Sequence, residues 1–275
     1  MSDKIRADAA LVSRGLFPSR EKAQAAIMAG QVYAGERKIE KASETVGPET
    51  ELTVRGAAIP YVSRGALKLE KAVKVFQADL RGRVIMDIGA STGGFTDVCL
   101  QRGAETVYAI DVGYGQLDWK LRNDPRVRVM ERTNARYMTR EMFDPVPEIA
   151  VMDVSFISIR LILPAAAAII GEQGVFYTLI KPQFEAGREN VGKKGVVRDP
   201  DIHAQVIERI RDSCEEMNWR MDALDFSPIT GPEGNIEFIT KILHRDSARR
   251  ETPLTPEEIR NTVEAAHAFH GARKN

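Results

Sequence analysis

The stretch "DIGASTGGFTD", residues 87–97, directly follows the apolar run "VIM" and contains "GASTG", a match to the G-x-S-x-G turn that exposes a nucleophilic serine in many hydrolases. The same letters fit a glycine-rich turn that lets a nucleotide-like cofactor approach the backbone after the first strand of a Rossmann-type sheet. The two readings demand different partners. A serine nucleophile needs a histidine base after a later strand, whereas His244 ends the last predicted strand and His267 and His270 sit in a C-terminal helical pattern, so the hydrolase reading lacks its base. The cofactor reading needs small residues against the ligand, supplied by Gly89, Gly93 and Gly94. It also needs an acidic residue for the ribose hydroxyls, and Asp111 ends the second strand about 20 residues on. Ser91 is left with at most a hydrogen bond. An ordinary strand-to-helix turn would explain the glycines but not Asp111.

The loop lacks a full G-x-G-x-x-G, and Asp87 at its start would repel a pyrophosphate. A cofactor without phosphate suits it better. S-adenosylmethionine carries a sulfonium cation and an amino group that a nearby carboxylate attracts.

Four further charged residues suggest what such a cofactor would serve. Asp153 ends the fourth predicted strand in "AVMDVSFIS", and Lys181 ends the fifth in "FYTLIKPQFE". Lys68 lies on a helical pattern in "SRGALKLEKA", and Glu237 interrupts the apolar start of the last strand in "EGNIEF". Taken singly, a charge after a buried strand is more often a solvated rim. A ribose 2′-hydroxyl, however, must lose its proton as its oxygen attacks a methyl carbon, and a lysine made neutral by burial and a neighbouring cation can take it. Lys181 is the candidate base, with Asp153 and Glu237 orienting the groups and Lys68 stabilising developing negative charge. Spacing alone does not bring the four together.

The elements that must position these residues divide the chain. Residues 1–60 predict two short helices, "ADAALVSRGL" stopping at Gly15 and "PSREKAQAAIMAG" with Ser19 as N-cap and Gly30 as its stop, followed by short strand-like pieces. "RGAAIPY", residues 55–61, reads as a linker. From residue 62 onward, strand candidates at 84–89, 106–112, 127–131, 149–154, 175–180, 221–226 and 235–243 alternate with helical patterns. This predicts an α/β, largely parallel, doubly wound sheet whose ligand edge is the carboxyl end of its strands. The tail from residue 246 carries Thr255, Pro256 and Glu258 as a helix start with a capping box.

Composition narrows the function classes. Lys plus Arg (39) equal Asp plus Glu (39), so any nucleic-acid surface is a local patch. Cys99 and Cys214 stand apart from any Cys/His cluster, which argues against a disulfide framework or zinc site. The start "MSDKIRADAALVSRG" has charges where a signal peptide needs its apolar core, so a cytoplasmic protein is expected. The longest apolar run, residues 161–170, is broken by Pro164, so no membrane span is expected.

At these residues the sequence resembles the TlyA family, ribosomal RNA 2′-O-methyltransferases related to FtsJ-type enzymes and once labelled haemolysins. The likeness runs through "YVSRGALKLEKA", "DIGASTGGFTD", "DVGYGQL", "LRNDPRV", "ERTNAR", "DVSFIS", "KPQFEAGRENVGKKGVVRDP" and "GNIE". It implies a seven-stranded Rossmann-like methyltransferase sheet over residues 61–245. It also implies a Lys-Asp-Lys-Glu tetrad at Lys68, Asp153, Lys181 and Glu237. S-adenosylmethionine would be held by the "GASTGG" loop and Asp111, with Asp87, Phe95, Asn134 and Asp153 counted in the cofactor set. Residues 1–60 would be an αL-type RNA-binding module, although Ala7 stands where such modules usually carry Leu or Val. Residues 246–275 form a helical tail.

The substrate this implies is ribosomal RNA or a ribosomal subunit, with cytidine as the target, and no metal, membrane or obligate protein partner. Residues 1–60 hold nine Lys and Arg against eight Asp and Glu, so a basic surface must come from arrangement. Arg6, Arg14, Arg20 and Lys22 lie at helix starts and turns where phosphates are within reach, a solvated face being the equal alternative for any one of them. Arg64, Arg132 and Arg136 flank strand ends, and Arg188 opens a Gly-rich basic stretch, residues 185–198, read as a mobile RNA-contacting lid or else a plain surface loop. Two other classes are weighed: a non-catalytic ribosome-assembly factor, against which the intact tetrad argues, and a membrane-lytic protein, which the absence of a span disfavours.

Overall fold

The computed structural model describes residues 4–17, 19–28, 30–35, 37–54, 60–248 and 250–272. The chain forms two compact units that divide between Pro60 and Tyr61. Residues 55–59 of the expected linker lie outside the described residues.

The first unit runs β1 (Ile5–Arg6), α1 (Ala7–Ser13), α2 (Arg20–Met28), β2 (Val32–Ala34), β3 (Arg37–Lys38), β4 (Thr45–Val46) and β5 (Leu52–Val54). Its core is built from small residues, Ala7, Ala10, Ala23 and Ala26 packing with Leu11, Ile27, Val32, Ile39 and Val46. Ala7 is fully buried, so the position needs a small side chain here. The Lys22 N–H donates to Ser19 Oγ at 3.4 Å as an N-cap. Gly15 and Gly30 both take φ near +70°, the left-handed turn that ends each helix.

The second unit is α/β. It contains α3 (Ala66–Val75), β6 (Val84–Ile88), α4 (Gly94–Gln101), β7 (Thr106–Ile110), α5 (Trp119–Arg122), β8 (Val127–Met130) and β9 (Ile149–Met152). There follow α6 (Leu163–Ile170), β10 (Val175–Ile180), α7 (Pro182–Glu185), α8 (Pro200–Glu216), β11 (Trp219–Phe226), β12 (Phe238–His244) and α9 (Pro256–Ala272). The seven strands are ordered β11-β12-β10-β9-β6-β7-β8, with β12 antiparallel to both neighbours and the remaining pairings parallel. Alternation along β6 sends Met86 and Ile88 to the face covered by α6, α8 and α9, and Ile85 to the face covered by α3 and α4.

Register explains how distant residues converge. The chain leaves β6 toward β7 and β8 on one side and returns through β9 and β10 on the other, so its direction switches between β6 and β9, where open sheets bind ligands. Ile88 pairs with both Ile110 and Met152, which sets Gly89, Asp111 and Asp153 side by side at the carboxyl edge. Ile180 pairs with Phe238, so the reversed strand delivers Glu237 to the end carrying Lys181. Lys68 arrives from the buried face of α3, which it shares with Leu69, Ala72 and Val73.

The last strand was expected from Asn235 but starts at Phe238. Asn235 is engaged elsewhere: its Nδ2 donates to the Gly195 carbonyl at 2.9 Å and its Oδ1 accepts from the Val197 N–H at 3.0 Å. The basic stretch is thereby pinned at Gly195–Val197, with Val196 and Val197 buried, rather than free along its length as a lid. Helix α9 packs on α8 and β11. Thr255 and Glu258 exchange reciprocal capping hydrogen bonds at its start, of 2.7 and 3.2 Å.

Candidate active site

Lys68, Asp153, Lys181 and Glu237 form one continuous chain of ion pairs. Lys68 Nζ lies 2.7 Å from Glu237 Oε2 and 3.2 Å from Asp153 Oδ2, and Lys181 Nζ lies 2.5 Å from Asp153 Oδ1. Lys181 also donates to Ser155 Oγ at 2.9 Å, and the Gln183 amide donates to Glu237 Oε1 at 3.3 Å. Both lysines and Glu237 are buried. Burial opposes the Lys68 charge, but Asp153 and Glu237 together carry its pKa above the ordinary lysine value. Burial likewise opposes the Asp153 charge, and the two lysines hold that carboxyl below its ordinary value. Two negative and two positive groups thus share a site that would tolerate none of them singly.

Two cavities meet at this chain. The smaller, about 370 Å³, is lined by Gly89, Ser91, Asp111, Asn134 and Asp153 among others. The larger, about 800 Å³, is lined by Arg64, Lys68, Phe95, Lys181, Phe184 and Glu237 among others. Asp153, Gly89, Ser91, Ser155 and Phe156 border both.

The smaller cavity fits the expected cofactor. Gly89 has φ +85°, and a Cβ there would lie 2.8 Å from the Asp153 carbonyl oxygen, so only glycine lets the loop pass. Asp111 Oδ2 accepts from the Ser91 N–H at 2.8 Å and Oδ1 from the Gly113 N–H at 2.7 Å, which leaves each oxygen a lone pair for a ribose hydroxyl. Ser91 Oγ donates to Gln116 Oε1 at 3.3 Å, a link between loop and pocket floor without a base beside it. Asn134 caps a short 3₁₀ turn through the Arg136 N–H at 3.1 Å. Two carboxylates, Asp111 and Asp153, make the cavity suited to a cation and hostile to a pyrophosphate.

Several expected residues sit elsewhere. Asp87 is fully buried beneath the loop, where its Oδ2 accepts the Thr96 hydroxyl at 2.6 Å; burial pushes its pKa up to about 7, and it lines neither cavity. Gly93 serves packing, since a Cβ there would collide with Leu121 Cδ1 and lie 2.8 Å from Leu117 Cδ1. Gly94 and Phe95 border the larger cavity only.

The basic residues separate as well. Arg14 is spent on the first unit's own carbonyls, donating to Gly47 at 2.9 Å, Pro48 at 3.0 Å and Thr50. Arg6 and Arg20, half exposed, each lie 3.0 Å from the buried Asp8 carboxylate, which also takes the Gln24 amide at 2.7 Å. The Arg6 hydrogen bond, with help from Gln24 and Arg20, outweighs burial and holds Asp8 well below the carboxylate range. Lys22 and Arg188 are exposed. Arg64 donates to the Thr230 carbonyl at 3.4 Å, while Arg132 and Arg136 lie over the Tyr114 and Tyr137 rings.

The residues not anticipated lie on two adjoining pieces, the loop after β9 and helix α7. Phe156 is 90% exposed at φ +65° and lies 5.0 Å from the Phe184 ring. Glu185 is buried with Ser158 and Ile159 as partners. The aromatic three residues after Asp153 is legible in "DVSFIS", but nothing in the letters marks its strained backbone.

Comparison with known proteins gives the family. Residues 61–242 match the FtsJ-like methyltransferase family, and residues 5–52 match the S4 domain. The 16S/23S rRNA (cytidine-2′-O)-methyltransferase TlyA of Mycobacterium tuberculosis is 44% identical over 239 residues, 86% of this chain and 89% of that protein. Hemolysin A of Brachyspira hyodysenteriae is 40% identical over 240 residues, 87% of this chain and all of that protein. A solved structure from Streptococcus thermophilus that carries a haemolysin name superposes with a TM-score of 0.80 at 44% identity, covering 100% of this chain and 99% of its own. The chain belongs to the FtsJ-like methyltransferase family and carries an S4 domain ahead of its methyltransferase sheet.

Proposed function

We propose that this chain methylates a ribose 2′-hydroxyl of ribosomal RNA, at a cytidine, with S-adenosylmethionine as methyl donor. The observation that carries this reading is the buried Glu237–Lys68–Asp153–Lys181 chain on the wall between two cavities. Gly89, Ser91, Asp111 and Asn134 would hold the cofactor, which would supply an electrophilic sulfonium methyl to the ribose oxygen, the C–S electron pair leaving with sulfur. The target ribose lies in the larger cavity. Lys181, which has a single carboxylate partner in the chain, takes the 2′-hydroxyl proton after its ammonium has released its own to solvent. Lys68 stays an ammonium between two carboxylates and stabilises negative charge gathering on the oxygen. Asp153 and Glu237 hold both lysines in place, and Phe156 with Phe184 offers the base an aromatic face.

The domains divide as 1–60 for RNA docking, 61–245 for catalysis and 246–275 as a tail packed on the catalytic sheet. Arg6, Arg20, Lys22, Arg64, Arg132, Arg136 and Arg188 contact phosphates, whereas Arg14 holds its own unit together. Such a substrate sets the enzyme in the cytoplasm, and among the described residues no helix is long and apolar enough to cross a membrane.

The test is transfer of tritiated methyl from S-adenosylmethionine to ribosomal subunits, with 2′-O-methyl positions then mapped. Label on a cytidine ribose is expected, and an unlabelled RNA overturns the reading in favour of a binding protein. In Lys181→Met, cofactor and RNA affinity should persist while single-turnover transfer falls by about 10²–10⁴. Weaker RNA binding with an unchanged rate at saturating RNA would move the base elsewhere.

A further inference from the structure

Glu185 is a buried carboxylate, 8% exposed, that borders neither cavity. Burying a charge is costly unless hydrogen bonds replace its water. Its two oxygens are spent on one segment: Oε1 accepts from the Ile159 N–H at 2.8 Å and Oε2 from the Ser158 hydroxyl at 2.6 Å. Arg160 Nε approaches Oε2 at 3.9 Å from the exposed side.

The two pieces that Glu185 joins carry the two halves of the reacting site. Residues 153–160 hold Asp153, Ser155 and Phe156. The short helix α7, on which Glu185 is the last residue, follows Lys181 and carries Gln183 and Phe184. Between these pieces run the Lys181–Asp153 ion pair at 2.5 Å, the Lys181–Ser155 hydrogen bond at 2.9 Å and the Phe156–Phe184 contact at 5.0 Å. After the Asp153 N–H, which donates to the Ile88 carbonyl at 3.0 Å, the segment leaves the sheet as a loop opening into a 3₁₀ turn at Ile159–Leu161. Phe156 at positive φ costs energy to maintain and persists only where its surroundings determine it.

We infer that Glu185 is a positioning residue for methyl transfer: it braces segment 153–160 against α7 so that Asp153, Ser155 and Phe156 meet Lys181 and Phe184 in the reactive arrangement. This rests on the reaction proposed above. The brace is a pair of accepted hydrogen bonds rather than a charge requirement. A glutamine keeps the length, its carbonyl accepts from Ile159, and the Ser158 hydroxyl can turn to accept from its amide.

The test pairs hydrogen exchange at the amides of 155–160 with single-turnover methyl transfer in the full chain. Glu185→Ala should speed exchange in that segment and lower the rate at saturating RNA and cofactor by about 10²-fold, the cost of misplacing reacting groups by about 1 Å. Cofactor and RNA affinities should stay within about threefold, since the lost interaction acts on the chemical step. Glu185→Gln should recover most of the rate and protection. The inference is overturned by unchanged exchange, by faster exchange with an unchanged rate, by a loss confined to RNA affinity, or by a glutamine no better than alanine. Should Glu185→Ala not fold, Ser158→Ala removes one of the two bonds and should give a smaller loss of the same kind; no loss there overturns the brace. A wild-type enzyme that labels no RNA refutes the reaction instead, while the exchange measurements still judge the brace.

Discussion

Asp153 accepts from two ammonium groups while its peptide oxygen lies against Gly89, so one residue joins proton chemistry to the cofactor loop. Its position also sorts the lysines. Lys68, held charged by two carboxylates, cannot accept a proton at neutral pH, whereas Lys181 has one carboxylate and a serine hydroxyl and faces the larger cavity. Lys181→Met should therefore remove most of the single-turnover rate, because no amine lone pair is left to accept the hydroxyl proton. Asp111 carries a separate expectation. Removing a carboxylate that accepts from hydroxyls costs roughly 1.5–3 kcal/mol, so Asp111→Ala should weaken cofactor binding by about 10- to 150-fold in calorimetry. Part of that loss reflects the Ser91 and Gly113 amides, which lose their acceptor. Unchanged affinity would take Asp111 out of the cofactor site. Ser91→Ala removes one hydrogen bond to Gln116 and should leave most of the activity.

At the scale of elements, the strands were legible because buried β-branched runs broken by glycine have few other solutions, and β10 occupies the expected residues 175–180. The carboxyl-edge position of Asp111, Asp153 and Lys181 follows from those strands directly. The meeting of Glu237 with Lys68 does not, because it depends on β12 running antiparallel against β10 and on the buried face of α3, and neither registers in local spacing. Asp87 misled for a similar reason: it stands inside the last residues of a strand, and its partner Thr96 lies on the following helix, so burial rather than the loop sets its environment. Arg14 and Arg20 read alike as basic residues near helix ends, yet their acceptors differ. Arg14 binds carbonyls of the 47–50 turn, 33 to 36 residues away, and Arg20 rests on Asp8 with its side chain 55% exposed. Arg14→Ala should therefore lower the thermal stability of the S4 unit modestly, by about 1 kcal/mol, since water replaces the guanidinium at three exposed carbonyls. Arg20→Ala should instead weaken RNA binding and flatten its salt dependence by about one unit of slope. The reverse pattern, read by calorimetry and by binding at several salt concentrations, would exchange the two roles.

Over the whole molecule, the C-terminal helix is tied to the wall of the larger cavity through histidine. His203, fully buried on α8, approaches His267 of α9 at 3.0 Å through Nδ1 and the Val197 carbonyl at 3.2 Å through Nε2. Val197 belongs to the stretch that Asn235 pins, two residues before Glu237. The Phe238 ring, at the start of β12, packs edge-on against His203. Burial first, then the positive potential of His267, lowers the His203 pKa to about 4, against weaker opposition from the Val197 carbonyl and Asp199. The unfolded chain takes up a proton near pH 6.5 that the folded chain refuses until about pH 4, so in this window the unfolded state binds more protons and stability falls as pH drops. The loss attributable to this one group approaches roughly 3 kcal/mol at the acid end of the window. Protection factors of amides in α9 and in the 195–197 turn, corrected for the slower base-catalysed exchange at acid pH, should accordingly be lower at pH 5 than at pH 7.5, ahead of the central strands. His203→Gln preserves a donor toward Val197 but does not titrate, so its stability should fall less steeply over the same range in urea titrations. An acid limb of unchanged slope in that variant would show that other groups, not His203, loosen the helix.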